Sequence, residues 1–410
     1  MKLTWGQLFW PMQSDARKFA PPESDLECDV LIVGAGMTGA LIADALTGSG
    51  RDVVVIDKRE PGCGSTGAST SLLLYELDTP LIELEKLIGW EDAREVYRMG
   101  VGAIRKLEEL VSSLGDDCGF CRRESVYLCS KDGDFPNLRR EFKARKRADL
   151  RVDLLGREEL RTLFGFDRAG AIASHDAAEV DPYRLTQKLI ERAISQGLRL
   201  FAHCELIGTG CVDGGVVART ASGPSIRAKK IIYATGYEAA STIGGKLAEQ
   251  QVTYAAVSEP VKSLEGWWKR AVIWETARPY LYLRTTADDR AMIGGLDDRE
   301  HGSIGDEKHL RRKAGELKRE FEQLFPDIPF VIDAAWAGVF DTTPDWMPYI
   351  GKHQKFPGAM FALGYGGNGL TFAVIAAEII GDGCVGKRHA AGGLFGFDRG
   401  GGGRRRRDYD

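Results

Sequence analysis

The residues with the clearest chemical potential are glycines. Gly34-Ala35-Gly36-Met37-Thr38-Gly39 is a GxGxxG run, set directly after the apolar stretch DVLIV at 29–33 and before a helix expected over 38–47. In such a run the first glycine turns the chain, the second lets backbone approach a pyrophosphate, and the third lets helix pack on strand. The start of the following helix offers unpaired N–H groups and a positive dipole end to phosphate. Asp57 closes a second apolar stretch, VVVID at 53–57, 23 positions after Gly34. A carboxylate there accepts ribose hydroxyls and excludes a 2′-phosphate. A bound dinucleotide is the expectation, either NAD or FAD.

Two later segments favour FAD. Gly64-Ser65-Thr66-Gly67-Ala68-Ser69-Thr70 is a run of small, hydroxylated residues that can supply hydroxyls and N–H groups to an extended cofactor. Gly364-Tyr365-Gly366-Gly367-Asn368-Gly369-Leu370 opens an apolar helix, whose start can stabilise negative charge on a reduced ring. The CxxC of Cys118 and Cys121, with Cys129 nearby, has no second CxxC and no close histidine, so structural thiols are expected rather than a metal or redox site. Alternation over 120–130 would turn Cys121 and Cys129 to one face of a strand. His175, His203 and His353 have no companions that suggest a triad or a metal site.

The elements that must hold these residues follow from the pattern. Strand, helix and strand over 29–57 form a βαβ unit, the first sign of a doubly wound sheet. A helix is expected to begin with Thr79 as N-cap and Pro80 at N1. A second carries Tyr97, Val101, Ile104, Leu107, Val111 and Leu114 on one stripe. Residues 131–151 are heavily charged and read as a solvated surface segment. Further helices are expected over 182–196, 308–325 and 370–380, and strands over 199–207 and 231–236. The stretch 251–295 is rich in aromatic and β-branched residues and reads as antiparallel sheet. Residues 1–24 read as an arm lying on the surface, and 398–410 as a disordered Gly/Arg tail. The expected fold is therefore α/β (α+β), a Rossmann-like dinucleotide domain with a second, antiparallel-sheet substrate domain. The first is assigned to 25–90, 150–248 and 335–397, the second to 91–149 and 249–334.

Composition limits the function classes. The 410 residues are 43% hydrophobic and 28% charged, ordinary for a globular chain, and 50 glycines give about 12% against a usual share of roughly 7%. Tight turns and close backbone approaches to a ligand account for such an excess. The net charge of −4 provides no global field for nucleic acid or an anionic membrane. No apolar stretch is long enough for a membrane span, and the first residues lack a signal-like apolar region, so cytoplasmic residence is expected.

Taken together, DVLIVGAGMTGA, VVVIDKREPGCGSTGAST, EVDPYRL, IIYATGY, WAGVFDTTPDWMPYIG and LGYGGNGLTF resemble the D-amino-acid oxidase / glycine oxidase / sarcosine oxidase (DAO) family of flavoproteins, in the family's order over about 28–397. The resemblance implies FAD-dependent oxidation of a C–N bond, with hydride passing to flavin N5 and the imine then hydrolysing. It also implies a cofactor set: Gly34, Gly36, Met37 and Thr38 at the pyrophosphate, and Asp57, Lys58 and Leu206 toward adenosine. Residues Gly64, Ser65, Thr66, Gly67, Ala68, Ser69 and Thr70 run along the pyrophosphate toward the ring, with the turn Thr235-Gly236. Gly364, Gly366, Gly367, Asn368, Gly369, Leu370 and Thr371 lie over the pyrimidine side.

Departures from the family bear on substrate. Phe340 stands in WAGVF where amino-acid oxidases place a carboxylate-binding arginine. Gly338 stands where sarcosine oxidases attach FAD through cysteine, and Thr371 where they carry an oxygen-activating lysine. Non-covalent FAD is expected, with Arg284 or Arg278 as a replacement guanidinium. Trp274, Tyr280, Tyr282 and Phe340 are expected to line the substrate face, with no side-chain base nominated. The segment around Phe340 also resembles the γ-glutamylputrescine oxidase branch, in which an amine is oxidised. The expected partners are thus a small amine or amino acid and either oxygen or an electron carrier. Alternatives are a dehydrogenase delivering electrons to a quinone or carrier, and a non-catalytic FAD-binding or tRNA-modification protein.

Overall fold

Two textures of sequence become two sheets. The computed structural model describes residues 2–13, 17–244, 247–299 and 305–399. Unbroken apolar runs suit strands buried on both faces, and they form the core of the first sheet. Its order is Tyr349–Lys352, Ala359–Leu363, Ser225–Tyr233, Leu26–Val33, Val53–Ile56 and Arg199–Phe201, with Leu206–Val212 and Gly215–Thr220 as an antiparallel flap. Val30 to Val33 pair in parallel with Val53 to Ile56 across the helix Met37–Thr47, the expected βαβ unit. That helix packs against Pro182–Ser195 and Gly369–Cys384, both largely apolar on their inner faces.

The second sheet has ten strands, in the order Thr4–Gly6, Ile332–Thr342, Glu249–Ser258, Ala291–Asp298, Tyr282–Thr285, Val272–Glu275, Cys121–Leu128, Gly170–Glu179 and Leu72–Leu73, with Val152–Gly156 also on Gly170–Glu179. Its pairings are antiparallel except for Val272–Glu275 on Cys121–Leu128. The helix Glu307–Leu324, capped by the Asp306 carboxylate, covers one face. No helix among the described residues is long and apolar enough to cross a membrane.

The structure corrects several expectations. The N-terminal arm is not superficial: Thr4–Gly6 pairs with Ile332–Thr342, and Leu3, Phe9 and Trp10 are buried. Its aromatic residues found a partner surface that local pattern does not reveal. The helix Leu81–Ile88 has Pro80 rather than Thr79 at its N-cap, and Glu141 caps it from 60 positions away by accepting from the N–H groups of Leu81 and Ile82, 3.0 Å each. The charged segment 131–151 is solvated on one side only. Its helix Phe135–Arg147 buries Glu141 and Arg145, and Arg145 also reaches Glu76 at 3.2 Å. Each buried charge is paired, as burial demands. The strand expected over 199–207 breaks in two around His203, which has φ 53°.

The expected division at 150 and 335 is cut across as well. Val152–Gly156, Gly170–Glu179 and Ile332–Thr342 take their hydrogen-bond partners from the antiparallel sheet. Of the expected tail, 400–410 lies outside the described residues, but Arg399 is tied down by Asp345 at 2.8 Å and stacks on Tyr349. All eight cysteines stand as free thiols, and among the described residues no group of three or more His, Cys, Asp and Glu side chains could hold a metal.

Candidate active site

One cavity takes in the expected cofactor residues except Gly67 and Thr371. Its first end is made mostly of backbone. Gly34, with φ +110°, sits against the Ala234 carbonyl, where a Cβ would approach to 2.4 Å. A Cβ on Gly39 would lie 1.8 Å from the Gly34 carbonyl oxygen, so only glycine lets this helix begin so close to the turn. The Met37 N–H at the helix start donates to Thr66 Oγ1 at 3.0 Å, joining the glycine turn to the 64–70 segment. Asp57 accepts from the N–H groups of Ala35 at 2.7 Å and Arg59 at 2.8 Å. Burial raises its pKa, and those two bonds act in the opposite sense. Lys58 and Arg59 lie beside it and both reach Glu238.

The 64–70 segment is pinned from outside. Trp336 Nε1 donates to the Ala68 carbonyl and Trp10 Nε1 to that of Ser69, each at 2.7 Å. Gly67 faces away from the cavity, toward Leu8 and Pro11 of the N-terminal arm, and is a packing residue. Thr371 is likewise buried away from it, its hydroxyl donating to the Leu74 carbonyl at 2.9 Å. Tyr237, which sequence reasoning passed over, donates to the Gly366 carbonyl at 3.0 Å and so links the ATG turn to the second glycine loop.

The other end is made of side chains. Trp274, Tyr280, Tyr282 and Phe340 all line it. Trp274 stacks on Tyr127 at 3.9 Å, and Tyr280 packs tilted against Tyr282 at 5.7 Å. Tyr282 lies over Gly294, where a Cβ would meet its ring at 2.3 Å. Arg284 does not reach the cavity. Only 2% exposed, it donates to the carbonyls of Thr70, Ser71, Val180 and Thr285 and lies 3.5 Å from Glu179. Two positions on from Tyr282 it shares that residue's face of the strand. It lies, however, beneath the crossing segments at Thr70–Ser71 and Val180, whose carbonyls take up its guanidinium, and it holds the chain leaving the 64–70 segment. Arg278 is exposed, stacks on Tyr280, and gives its guanidinium to the carbonyls of Asp78, Ala277 and Glu275.

Two carboxylates of this end escaped the sequence reading. Asp78 accepts from Tyr280 Oη at 2.6 Å and from the Gly367 N–H at 3.1 Å. Asp297 lines the wall, and burial pushes its pKa up to about 6. The available signals were the LDTP preceding a helix, which reads as capping, and the acidic pair ending AMIGGLDD, which reads as a solvated strand end.

The residues present fit FAD. Ser65 Oγ and Thr235 Oγ1 are buried in cavity-lining residues and have no hydrogen-bond partner, leaving donors for an anionic, oxygen-rich group. The family model for FAD dependent oxidoreductases matches residues 29–382. The chain is 26% identical over 380 residues to γ-glutamylputrescine oxidoreductase of Escherichia coli, covering 90% of this chain and 86% of that protein. It is 24% identical to glycine oxidase of Geobacillus kaustophilus, covering 86% and 92%. Its fold matches the crystal structure of that organism's glycine oxidase with a TM-score of 0.74 at 20% identity, over 89% and 96% of the chains. L-proline dehydrogenase from P. horikoshii matches with a TM-score of 0.75 at 19% identity, over 91% and 97%. The chain belongs to the DAO family of FAD-dependent oxidoreductases, an enzyme family whose cofactor is FAD.

Proposed function

We propose that this enzyme oxidises the C–N bond of an amine in preference to a small amino acid, giving an imine that water then hydrolyses. FAD, when bound, supplies the two-electron acceptor for the hydride leaving that carbon. The backbone of 34–38 and the hydroxyls of Ser65, Thr66 and Thr235 would hold its diphosphate portion. The Gly364–Leu370 loop, fastened by Tyr237 and Asp78, would bring N–H groups to its ring end. With Gly338 at the attachment position, FAD is held without a covalent bond, and acid precipitation should release the chromophore into the supernatant. A washed pellet that stays yellow would contradict this.

One observation carries the substrate reading. Among the described residues that line the cavity, the basic side chains Lys58 and Arg59 stand at the nucleotide end, while the other end presents aromatic rings and carboxylates. A carboxylate brought there would lose hydration without gaining a partner, a cost of several kcal/mol. An ammonium group meets π faces and negative charge instead. The names of the two relatives above, one acting on γ-glutamylputrescine and one on glycine, support an amine or amino acid as the class. Anaerobic mixing with amines, N-methyl amino acids and D-amino acids tests it. Amines should bleach the flavin faster than glycine or D-alanine, whereas no bleaching by any of them would overturn the reading.

A further inference from the structure

Asp297 differs from the other carboxylates at the aromatic end in having both acceptor capacity left over and no cation engaged with it; Glu76 also leaves Oε2 unbonded but is held in an ion pair. Asp78 is satisfied by Tyr280 and the Gly367 N–H. Glu76 faces Arg145 at 3.2 Å. Asp297 has a fully buried Oδ1 that accepts nothing. Its neighbour Asp298 has taken the cation supplied by the covering helix: Lys313 Nζ lies 2.7 Å from Asp298 Oδ1 and also donates to the Leu296 carbonyl at 2.6 Å. Asp298 further accepts from Tyr254 Oη and His309 Nε2, each at 2.8 Å. Among the described residues, the groups facing Asp297 are thus the Thr253 hydroxyl, the phenols of Tyr280 and Tyr282, and the negative charges of Asp78 and Asp298, with Lys313 the one nearby cation and already engaged.

A desolvated carboxylate with no resident counter-ion is costly to the fold, and a bound cation relieves that cost. The aromatic wall around it adds to this, because Tyr280 and Tyr282 present rings to the same space. We propose that Asp297 is the specificity-determining residue of the site and that it receives a second positive charge of the substrate, distal to the amine being oxidised. This rests on the amine reading above and narrows it to dibasic amines. Asp297 acts on binding. The reacting nitrogen must be uncharged to release hydride from its neighbouring carbon, so the cation held by Asp297 belongs to a different nitrogen. A substrate with a carboxylate at the distal position would meet Asp297 and Asp78 together and be excluded.

The test compares pairs that differ only in the distal group: putrescine with butylamine, cadaverine with pentylamine, and γ-aminobutyrate as the anionic counterpart. Anaerobic flavin reduction is followed in the holoenzyme as a function of amine concentration, which separates the apparent Kd from the limiting rate. The wild type should bind at least one diamine about tenfold or more tighter than its monoamine, the scale of a desolvated charge pair, and should reject γ-aminobutyrate. Asp297→Asn should erase the diamine advantage, bringing the Kd values of each diamine and its monoamine to within about twofold of one another. Asp297→Glu should restore part of the advantage, which shows that a loss in the Asn variant is not misfolding. Equal Kd values for diamines and monoamines in the wild type would overturn the assignment while the amine reading stands. A collapse of the limiting rate for both classes in Asp297→Asn would make Asp297 a proton acceptor at the reacting nitrogen and also overturn it. Silence toward every amine would overturn the parent reading and this one together.

Discussion

The two ends of the cavity are built by different means. At the nucleotide end the work is done by backbone: Gly34, Gly36 and Gly39 remove side chains, and one helix start and one turn supply N–H groups. At the substrate end it is done by side chains brought together from distant positions, Asp78, Trp274, Tyr280, Asp297 and Phe340, on the antiparallel sheet and the loops beside it. Backbone geometry tolerates no substitution where a Cβ has nowhere to go. A wall of side chains can change one member and keep its shape. The first end should therefore break all at once, and the second should drift in preference.

The largest effect is expected from Gly39→Val. A side chain at this position would overlap the Gly34 carbonyl, where even a Cβ falls at 1.8 Å. The helix must move off the turn, at a cost on the order of 3 kcal/mol or more. Purified Gly39→Val should be colourless and should unfold at lower denaturant than wild-type apoprotein. A yellow protein with wild-type flavin content would show that the turn does not set the cofactor site.

Next comes Arg284→Ala. Removing this guanidinium leaves the buried carbonyls of Thr70, Ser71 and Val180 without their shared donor, while Glu179 keeps Arg123 at 2.8 Å, a loss of about 2–3 kcal/mol. The consequence should be a lowered denaturation midpoint and flavin content, with amine and amino-acid substrates affected alike. Selective loss of carboxylate-bearing substrates would return Arg284 to the role the sequence suggested.

Arg284 also shows what the sequence could and could not reveal. The βαβ unit, both glycine loops and the helix Pro182–Ser195 were legible because their signals are local: apolar runs, glycine spacing, and an aspartate before a proline. YLYLR correctly indicated a strand whose side chains alternate, and two of its tyrosines do line the cavity. Arg284 shares their face, and where along that face the cavity ends depends on the segments that cross it at Thr70–Ser71 and Val180, which is not written in five residues. The same limit hid the Glu141 cap, which acts across 60 positions, and the N-terminal strand, whose partner lies beyond residue 330. Asp78 and Asp297 were missed because a lone acid near a turn has an ordinary explanation until the fold brings it to an aromatic wall.

A third, smaller effect concerns Asp341, next to Phe340 and facing the opposite way. It is fully buried, neither carboxylate oxygen has a hydrogen-bond partner, and burial pushes its pKa up to about 7 despite the nearby Gln250. Its backbone carbonyl accepts from the Gly366 N–H at 3.1 Å. A raised acid pKa means that the folded state holds a proton the unfolded chain has released. This group's contribution to stability is therefore greatest below about pH 4 and declines as pH rises to about 7. Asp341→Asn keeps the shape and removes the titration. It should stabilise the protein by roughly 1–2 kcal/mol at pH 8 and by much less at pH 5, read from denaturant midpoints at the two values. An equal change at both would mean that the carboxyl finds a counter-charge in the fold.

The smallest effect tests the substrate end by a single exchange. Phe340 lines the cavity and pairs with Gln251 of the neighbouring strand, so its Cβ position is fixed by the sheet. Phe340→Arg places a guanidinium on a wall that otherwise offers rings and carboxylates. It gives a substrate carboxylate the forked partner it lacks and repels an ammonium approaching Asp297. Both changes act in one direction, and both are diluted by solvent reaching a half-buried residue. The ratio of flavin reduction by D-alanine to reduction by butylamine should rise severalfold, worth about 1 kcal/mol. Phe340→Leu keeps the wall apolar and should leave that ratio unchanged, which separates charge from lost ring volume. If the Arg variant keeps the wild-type ratio while retaining its flavin, Phe340 lies outside the path of the substrate and the aromatic end selects through Tyr280, Tyr282 and the carboxylates alone.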